Sequence, residues 1–403
     1  MVDIIATLGA WPGYVCTETR LDPSNKRIII TLEPNSQSFP ICSHCGAQCA
    51  LIHESLWREV EELPILGYFV TLRIRIRRVE CLHCGHSTNE AIPWLKPYAR
   101  MTNGLKAHVE HRTEAETISY AAKETGLGWN AVKQVDKARL KAAVGEFVWD
   151  GATRLMVDEI SIHKRHKYAT VVFNPDAKRV LWVGEGRSRD TLKNFFKLLT
   201  EEQRQGITAV AMDMSTAFDL EVRVQCPNAV VSYDLFHILT LFHREVLDRV
   251  RVDAANKLKD DPAKRRIVKG ARWLLMGCPE SRTAAMQNRL NEALELNKDL
   301  MKASLLGDAL RHLWHLGPEE KAAEVFDNWV KQAIASKIKC LADFARRLKN
   351  FYRDGVLASA ALRFGTSMLE GVNNRIKVIK RQAYGFRDNE YFFLKIKYAF
   401  RGC

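Results

Sequence analysis

The sequence predicts an α/β protein of three parts: a zinc-binding β module, a helix-turn-helix domain, and a mixed α/β core interrupted by an all-α insertion. Three observations predict it. Two Cys-x-x-Cys pairs sit in a strand-patterned N-terminal stretch. Two short helical patterns follow, separated by a glycine-containing turn. Beyond residue 150, strands alternate with helices and then give way to helix alone from about 240 to about 355. A chain of 403 residues also exceeds what one hydrophobic core ordinarily organises.

Charge narrows the class of partner. The net charge of +14 and a pI near 9.3 point to a polyanion, nucleic acid foremost. An apolar content of 47% is that of a globular protein. No apolar run approaches the ~18 residues of a membrane span, so no membrane partner is expected. The start Met1-Val2-Asp3 lacks the basic stretch of a secretory signal, and a cytoplasmic location is expected. Ten cysteines then read as metal ligands and buried thiols, not as disulfides.

Residues 1–95 form the expected β module. Residues 27–32 are a β-branched run. Val70, Leu72, Ile74 and Ile76 alternate with Thr71, Arg73, Arg75 and Arg77, the period of a half-buried strand. The three arginines make either a solvated face or a contact to a nucleic-acid backbone. Cys42-Ser-His-Cys45 and Cys81-Leu-His-Cys84 each offer two thiolates, and the four fill the tetrahedral shell of one structural Zn2+ with no open position. Gly46 and Gly85 follow the pairs where a knuckle needs a permissive backbone. Cys49, His44, His83 and His86 are spare candidates. Cys16, Cys226, Cys278, Cys340 and Cys403 carry no pattern.

Residues 96–150 turn helical. Segments 117–126 and 129–140, joined through Leu127-Gly128, fit a helix-turn-helix or a plain helical hairpin. Ala121, Gly126 and Val132 suit a close crossing. As a recognition helix, the second segment presents Trp129, Asn130, Lys133 and Lys137 to DNA.

Residues 151–403 form the third domain. Strand patterns around Asp158, at 168–173 and at 179–183 precede a helix at 191–199, a strand ending at Asp213, a short helix and a strand at 229–234. The order βββαβαβ resembles the sheet of ribonuclease H. Trp273, Trp314 and Trp329 are expected to anchor the core of the insertion.

Three acids stand out. Successive strand residues face opposite ways, so Asp158 and Glu159 do not both point at one site, and the pattern leaves the choice open. Asp213 ends a neighbouring strand. Glu370 opens a basic helix on which Asn374 and Lys377 lie close to its face and Arg375, Lys380 and Arg381 broaden the cationic surface. Such a sparse carboxylate set suits Mg2+ (or Mn2+), and two ions about 4 Å apart serve phosphoryl transfer. Asp234-Leu-Phe-His237 either caps a helix or orients a catalytic group.

In this order these residues resemble the ISL-three family of bacterial insertion-sequence DDE transposases. The resemblance spans essentially the whole chain. It takes in the cysteine pairs, the helix-turn-helix, Asp158-Glu-Ile-Ser161 with Lys167-Tyr-Ala-Thr170, and Trp182-Val-Gly-Glu-Gly186. It continues through Met212-Asp-Met-Ser215, Asp234-Leu-Phe-His237, Arg272-Trp-Leu-Leu275, Leu369-Glu-Gly-Val-Asn-Asn374 and Lys377-Val-Ile-Lys-Arg381. It implies a ribonuclease-H-like catalytic core in which Asp158 rather than Glu159, with Asp213 and Glu370, binds two magnesium ions. Asp234 and His237 are then accessory. The zinc and helix-turn-helix modules are expected to read terminal inverted repeats of double-stranded DNA, in a homodimer or larger assembly. DNA is cut at each element end, and the freed 3′-hydroxyls attack target DNA. The alternatives are a non-catalytic zinc and helix-turn-helix regulator, and a nuclease that cuts without joining.

Overall fold

The computed structural model describes residues 11–163, 167–277, 281–316, 319–362 and 364–402. Met1-Val2-Asp3, Cys278 and Cys403 lie outside them. The chain divides into two compact units, Met1–Ala143 and Val144–Cys403.

In the first unit, β1 (Tyr14–Asp22), β2 (Arg27–Pro34), β3 (Leu51–Ile65), β4 (Tyr68–Glu80) and β5 (Ser87–Asn89) form one sheet. Its order is β1-β2-β4-β3, with β5 on the end of β4. The predicted alternation of β4 holds: Val70, Leu72, Ile74 and Ile76 are buried against Ile30 and Leu32 of β2. The arginine face of β4 is largely committed within the protein. The Arg73 guanidinium lies 5.0 Å over the Trp57 ring, and Arg75 sits 3.3 Å from Glu33. Arg77 makes a 2.6 Å ion pair with buried Glu90.

Three helices follow: α1 (Asn103–Ala115), α2 (Ile118–Thr125) and α3 (Trp129–Val144). Thr102 and Thr117 cap the first two, accepting from the backbone N–H of Leu105 and Tyr120. Leu105, Val109, Ala121, Val132 and Val135 make their common core. Gly126 ends α2 at φ 73°, and a Cβ there would lie 2.6 Å from the Phe69 ring. Both the backbone and the space require glycine.

The second unit is built on β6 (Arg154–His163), β7 (Lys167–Asn174), β8 (Arg179–Glu185), β9 (Ala209–Met212) and β10 (Val230–Tyr233). Their order is β10-β9-β6-β7-β8. β6, β7 and β8 form the expected antiparallel meander; β9 and β10 run parallel to β6. Between β8 and β9 lie α4 (Arg189–Phe196) and α5 (Glu201–Gln205), and between β9 and β10 lies α6 (Thr216–Gln225). Every described element from β10 to residue 362 is helical. The α-helices are α7 (Leu235–Phe242), α8 (Asp248–Lys257), α9 (Pro262–Gly270), α10 (Arg272–Met276), α11 (Ala284–Glu295), α12 (Lys298–His312), α13 (Glu319–Ala335), α14 (Lys339–Arg347) and α15 (Arg353–Leu362), with π-helical turns at His243–Leu247 and Leu348–Tyr352 and a 3-10 turn at Leu313–His315. The chain closes with α16 (Ser367–Gln382) and α17 (Asn389–Ala399). None of the described helices is long and apolar enough to cross a membrane.

Both faces of the second sheet are buried. Leu155, Val157, Val210 and Met212 join the core shared with α4, α6 and the helical run. Met156, Ile160, Ala209 and Ala211 pack with Leu369, Val372 and Ile376 of α16 and with Phe392 and Ile396 of α17. Trp314 and Trp329 are core anchors as expected, their indole N–H groups donating to Ser359 Oγ (2.8 Å) and the Leu306 carbonyl (2.7 Å). Trp273 is not: it is 73% exposed. The reason is periodicity. Ala271 and Leu275, four apart, take the inward side of this short helix, and Trp273 falls between them on the other, with the Arg272 guanidinium 5.5 Å from its ring.

Candidate active site and zinc centre

Strand register builds the acidic site. Val157 pairs with Met212 and Met212 with Tyr233, across three neighbouring parallel strands. The next residues are Asp158, Asp213 and Asp234. Two residues before them, Met156, Ala211 and Ser232 are likewise aligned. Side chains alternate along a strand, so the three aspartates share the face of Met156 and Ala211, the face covered by α16. Adjacent strands lie about 4.8 Å apart, which sets the carboxylates in a closely spaced row.

Each carboxylate has a distinct setting. Asp158 accepts at Oδ1 from the Glu159 backbone N–H (2.6 Å) and at Oδ2 from the Asn373 side-chain amide, 215 residues on. Burial raises its pKa, against those two donors. Asp234 caps α7, accepting from the Phe236 N–H at 2.8 Å, and its other oxygen accepts from the Thr366 hydroxyl. Asp213 Oδ1 lies 3.1 Å from His237 Nε2, and this buried oxygen accepts no hydrogen bond among the described residues. Burial first, then the charges of Asp158, Asp234 and Glu159, push the Asp213 carboxyl up to about 8. Donor atoms of Asp213, Asp234 and His237 lie within 4.8 Å of one another. Glu159 faces Arg187 at 3.6 Å.

Glu370 is placed differently. It lies in the first turn of α16, exposed, and outside the groups of donor atoms that converge among the described residues. Among the candidate phosphate contacts on α16, Asn374, Arg375, Lys377 and Arg381 are exposed, and Lys380 donates to the Ser161 carbonyl at 2.9 Å. On α3, Trp129 and Asn130 are exposed and Lys133 and Lys137 half-buried, with the Lys133 ammonium 5.9 Å over the Trp129 ring. Sequence reasoning passed over Asn373 and Thr366. A signal for Asn373 was present: it shares the apolar stripe Leu369, Val372, Ile376, where a polar residue needs a partner.

The cysteines of the first unit converge. All four sulfurs of Cys42, Cys45, Cys81 and Cys84 lie within 4.8 Å of one another, with Cys42–Cys84 at 3.7 Å and Cys45–Cys81 at 3.5 Å. Zinc–sulfur bonds of about 2.3 Å in a tetrahedron separate sulfurs by about 3.8 Å, so the set fits zinc as it stands. Each knuckle closes on a glycine in the left-handed region, Gly46 (φ 74°) and Gly85 (φ 70°). Their N–H groups donate to the Cys42 and Cys81 carbonyls. The Cys84 backbone N–H helps bring the Cys81 thiol down to about 6, toward the thiolate a metal needs. His44 and His86 stack at 4.0 Å beside this shell.

The chain matches known proteins along its length. A family model described as transposase matches residues 155–396. The helix-turn-helix domain of transposase family ISL3 matches 90–140. The zinc-finger of transposase IS204/IS1001/IS1096/IS1165 matches 38–84. The transposase for insertion sequence element IS1001 of Bordetella parapertussis is 42% identical over 401 residues, 99% of this chain and 98% of that one. The transposase for insertion sequence element IS1557 of Mycobacterium tuberculosis is 27% identical over 390 residues, 90% of this chain and 86% of its own.

Proposed function

The chain belongs to the ISL3 family of insertion-sequence transposases, and from that premise we propose that it cuts DNA at the ends of its element and joins the freed 3′-hydroxyls to target DNA. The observation that carries the chemistry is the row of aspartates on parallel strands, with a buried Asp213 oxygen that no donor among the described residues satisfies. Carboxylates crowded until one titrates at about 8 favour a divalent cation in their midst. Hard oxygen donors are what magnesium or manganese takes. Such ions supply the Lewis acidity that activates an attacking oxygen and steadies a leaving one.

The residues then divide the work. Asp158, Asp213 and Glu370 hold the ions on the edge of a ribonuclease-H-like sheet, a reading that the order β10-β9-β6-β7-β8 supports. Asp234 ties the starts of α7 and α16 to the site through Phe236 and Thr366. His237, beside Asp213, is in place to orient a reacting group. Asn374, Arg375, Lys377, Lys380 and Arg381 hold the phosphate backbone near the cut. Trp129, Asn130, Lys133 and Lys137 contact the terminal repeats, and two ends brought together call for a homodimer or larger assembly. The four cysteines hold a structural zinc and take no part in the chemistry.

The test is incubation of the protein and Mg2+ with labelled DNA carrying the element's own terminal repeats, beside Asp158→Ala, Asp213→Ala and Glu370→Ala. Cleavage at the repeat ends by wild type alone is expected. Specific binding with no cleavage by any of the four leaves a DNA-binding protein and removes the catalytic assignment.

A further inference from the structure

Two side chains of α16 reach two of the three aspartates. Thr366, at the start of the helix, donates to Asp234 Oδ2, and Asn373 donates to Asp158 Oδ2. They are seven residues apart, two turns, which spans about 10.5 Å along a helix axis. Asp234 and Asp158 lie on β10 and β6, with β9 between, two strand spacings or about 9.6 Å. The repeat of the helix therefore matches the repeat of the sheet. Glu370 is four residues after Thr366 and three before Asn373, so helix spacing puts it on their side of α16, with its carboxylate exposed and outside the converging donor atoms of the described residues.

We propose that Thr366 and Asn373 are positioning residues, a two-point clamp that fixes the register of α16 on the sheet and with it the position of Glu370. The partner oxygens are carboxylate acceptors, so Asn373 must present its amide nitrogen to Asp158. Its own carbonyl oxygen is then left buried with no partner among the described residues, a cost that packing alone would not select in an otherwise apolar stripe of Leu369, Val372 and Ile376. The contact also fixes one oxygen of Asp158 while the Glu159 N–H fixes the other, so the carboxylate plane is set before any ion arrives.

The inference rests on the reading of the acids as ion ligands, and the test separates the two. Mn2+ alone is titrated into the zinc-loaded full-length protein, and free Mn2+ is followed by electron paramagnetic resonance. The proteins are wild type, Asn373→Leu, Thr366→Val, Asp158→Ala and Asp213→Ala. Loss of a group that orients a metal ligand weakens ion binding about 10–100-fold, and that loss is expected for both clamp variants. The metal concentration for half-maximal end cleavage is expected to rise in step, with cleavage recovering at saturation. Asn373→Leu removes both the orphaned oxygen and the donor to Asp158, opposing effects that are expected to leave its melting temperature near wild type while ion affinity falls; a purely structural role would lower the melting temperature and leave the affinity unchanged. Should Asn373→Leu fail to fold, Thr366→Val, isosteric with the native side chain, carries the same test. Wild-type Mn2+ affinity in the clamp variants, with loss in the aspartate variants, overturns the clamp alone. Wild-type affinity in all four overturns the ion-ligand reading itself.

Discussion

Replacing Asp213 with asparagine is expected to make the ion-free protein more stable and, on the proposed function, to abolish ion binding. Burial and three neighbouring carboxylates raise the Asp213 pKa from 3.8 to about 8. Between those values the native state holds a proton that the unfolded chain has released, so stability falls as pH rises through that window and levels off above about 8. At 1.36 kcal/mol per pKa unit the full linkage is about 6 kcal/mol. The side chain is 32% exposed, and screening by water reduces the effect to about 2–3 kcal/mol. Asparagine keeps the shape and does not ionise. In a domain of this size the difference amounts to a rise of about 5–10 °C in melting temperature at pH 8. Calorimetry of the zinc-loaded protein in magnesium-free buffer from pH 5 to 9 measures it. The gap between Asp213→Asn and wild type is expected to widen up to about pH 8, and Mg2+ to stabilise wild type but not the variant. Parallel curves of melting temperature against pH would refute the reasoning.

Other consequences follow from packing and from the zinc shell. One zinc per chain is expected from colorimetric release, and Cys81→Ser is expected to lose it and unfold the β module; full zinc occupancy in that variant would remove the four-sulfur site. Trp329→Ala, which empties a buried site and removes the indole N–H bond to the Leu306 carbonyl, is expected to cost about 3–5 kcal/mol in urea unfolding. Trp273→Ala, on an exposed side chain, is expected to change stability by less than about 0.5 kcal/mol. Gly126→Ala sets a Cβ 2.6 Å from the Phe69 ring at a positive φ and is expected to lower stability by about 1–3 kcal/mol.

What the sequence disclosed follows from how local each signal is. The alternation of β4 and the two cysteine knuckles are written within a few residues, and both are found where they were expected. The end of α2 at Gly126 was legible as a turn, but the Phe69 ring that demands glycine comes from a strand far off in sequence. Trp273 is exposed where its residue type predicts burial, because its five-residue helix is too short to show a period in sequence. Asp234 is open in the sequence to two readings, a helix cap or a group that orients a catalytic one. Only the pairing of Val157 with Met212 and of Met212 with Tyr233 reveals that it stands in line with Asp158 and Asp213, and strand register is not written in any one strand. Asn373 was hidden by its neighbour: the basic, exposed side of α16 drew attention to Asn374, while the contact to Asp158 lies on the apolar side.

The most direct measurement of the central claim is metal-specificity exchange at the acids. Asp158→Cys, Asp213→Cys and Glu370→Cys are assayed for cleavage at the element's terminal repeats in Mg2+ and in Mn2+. A thiolate is a poor ligand for magnesium and a better one for manganese. If these side chains hold the ions, cleavage is lost in Mg2+ and restored in Mn2+. Cleavage by all three variants in Mg2+ at the wild-type rate would contradict the account.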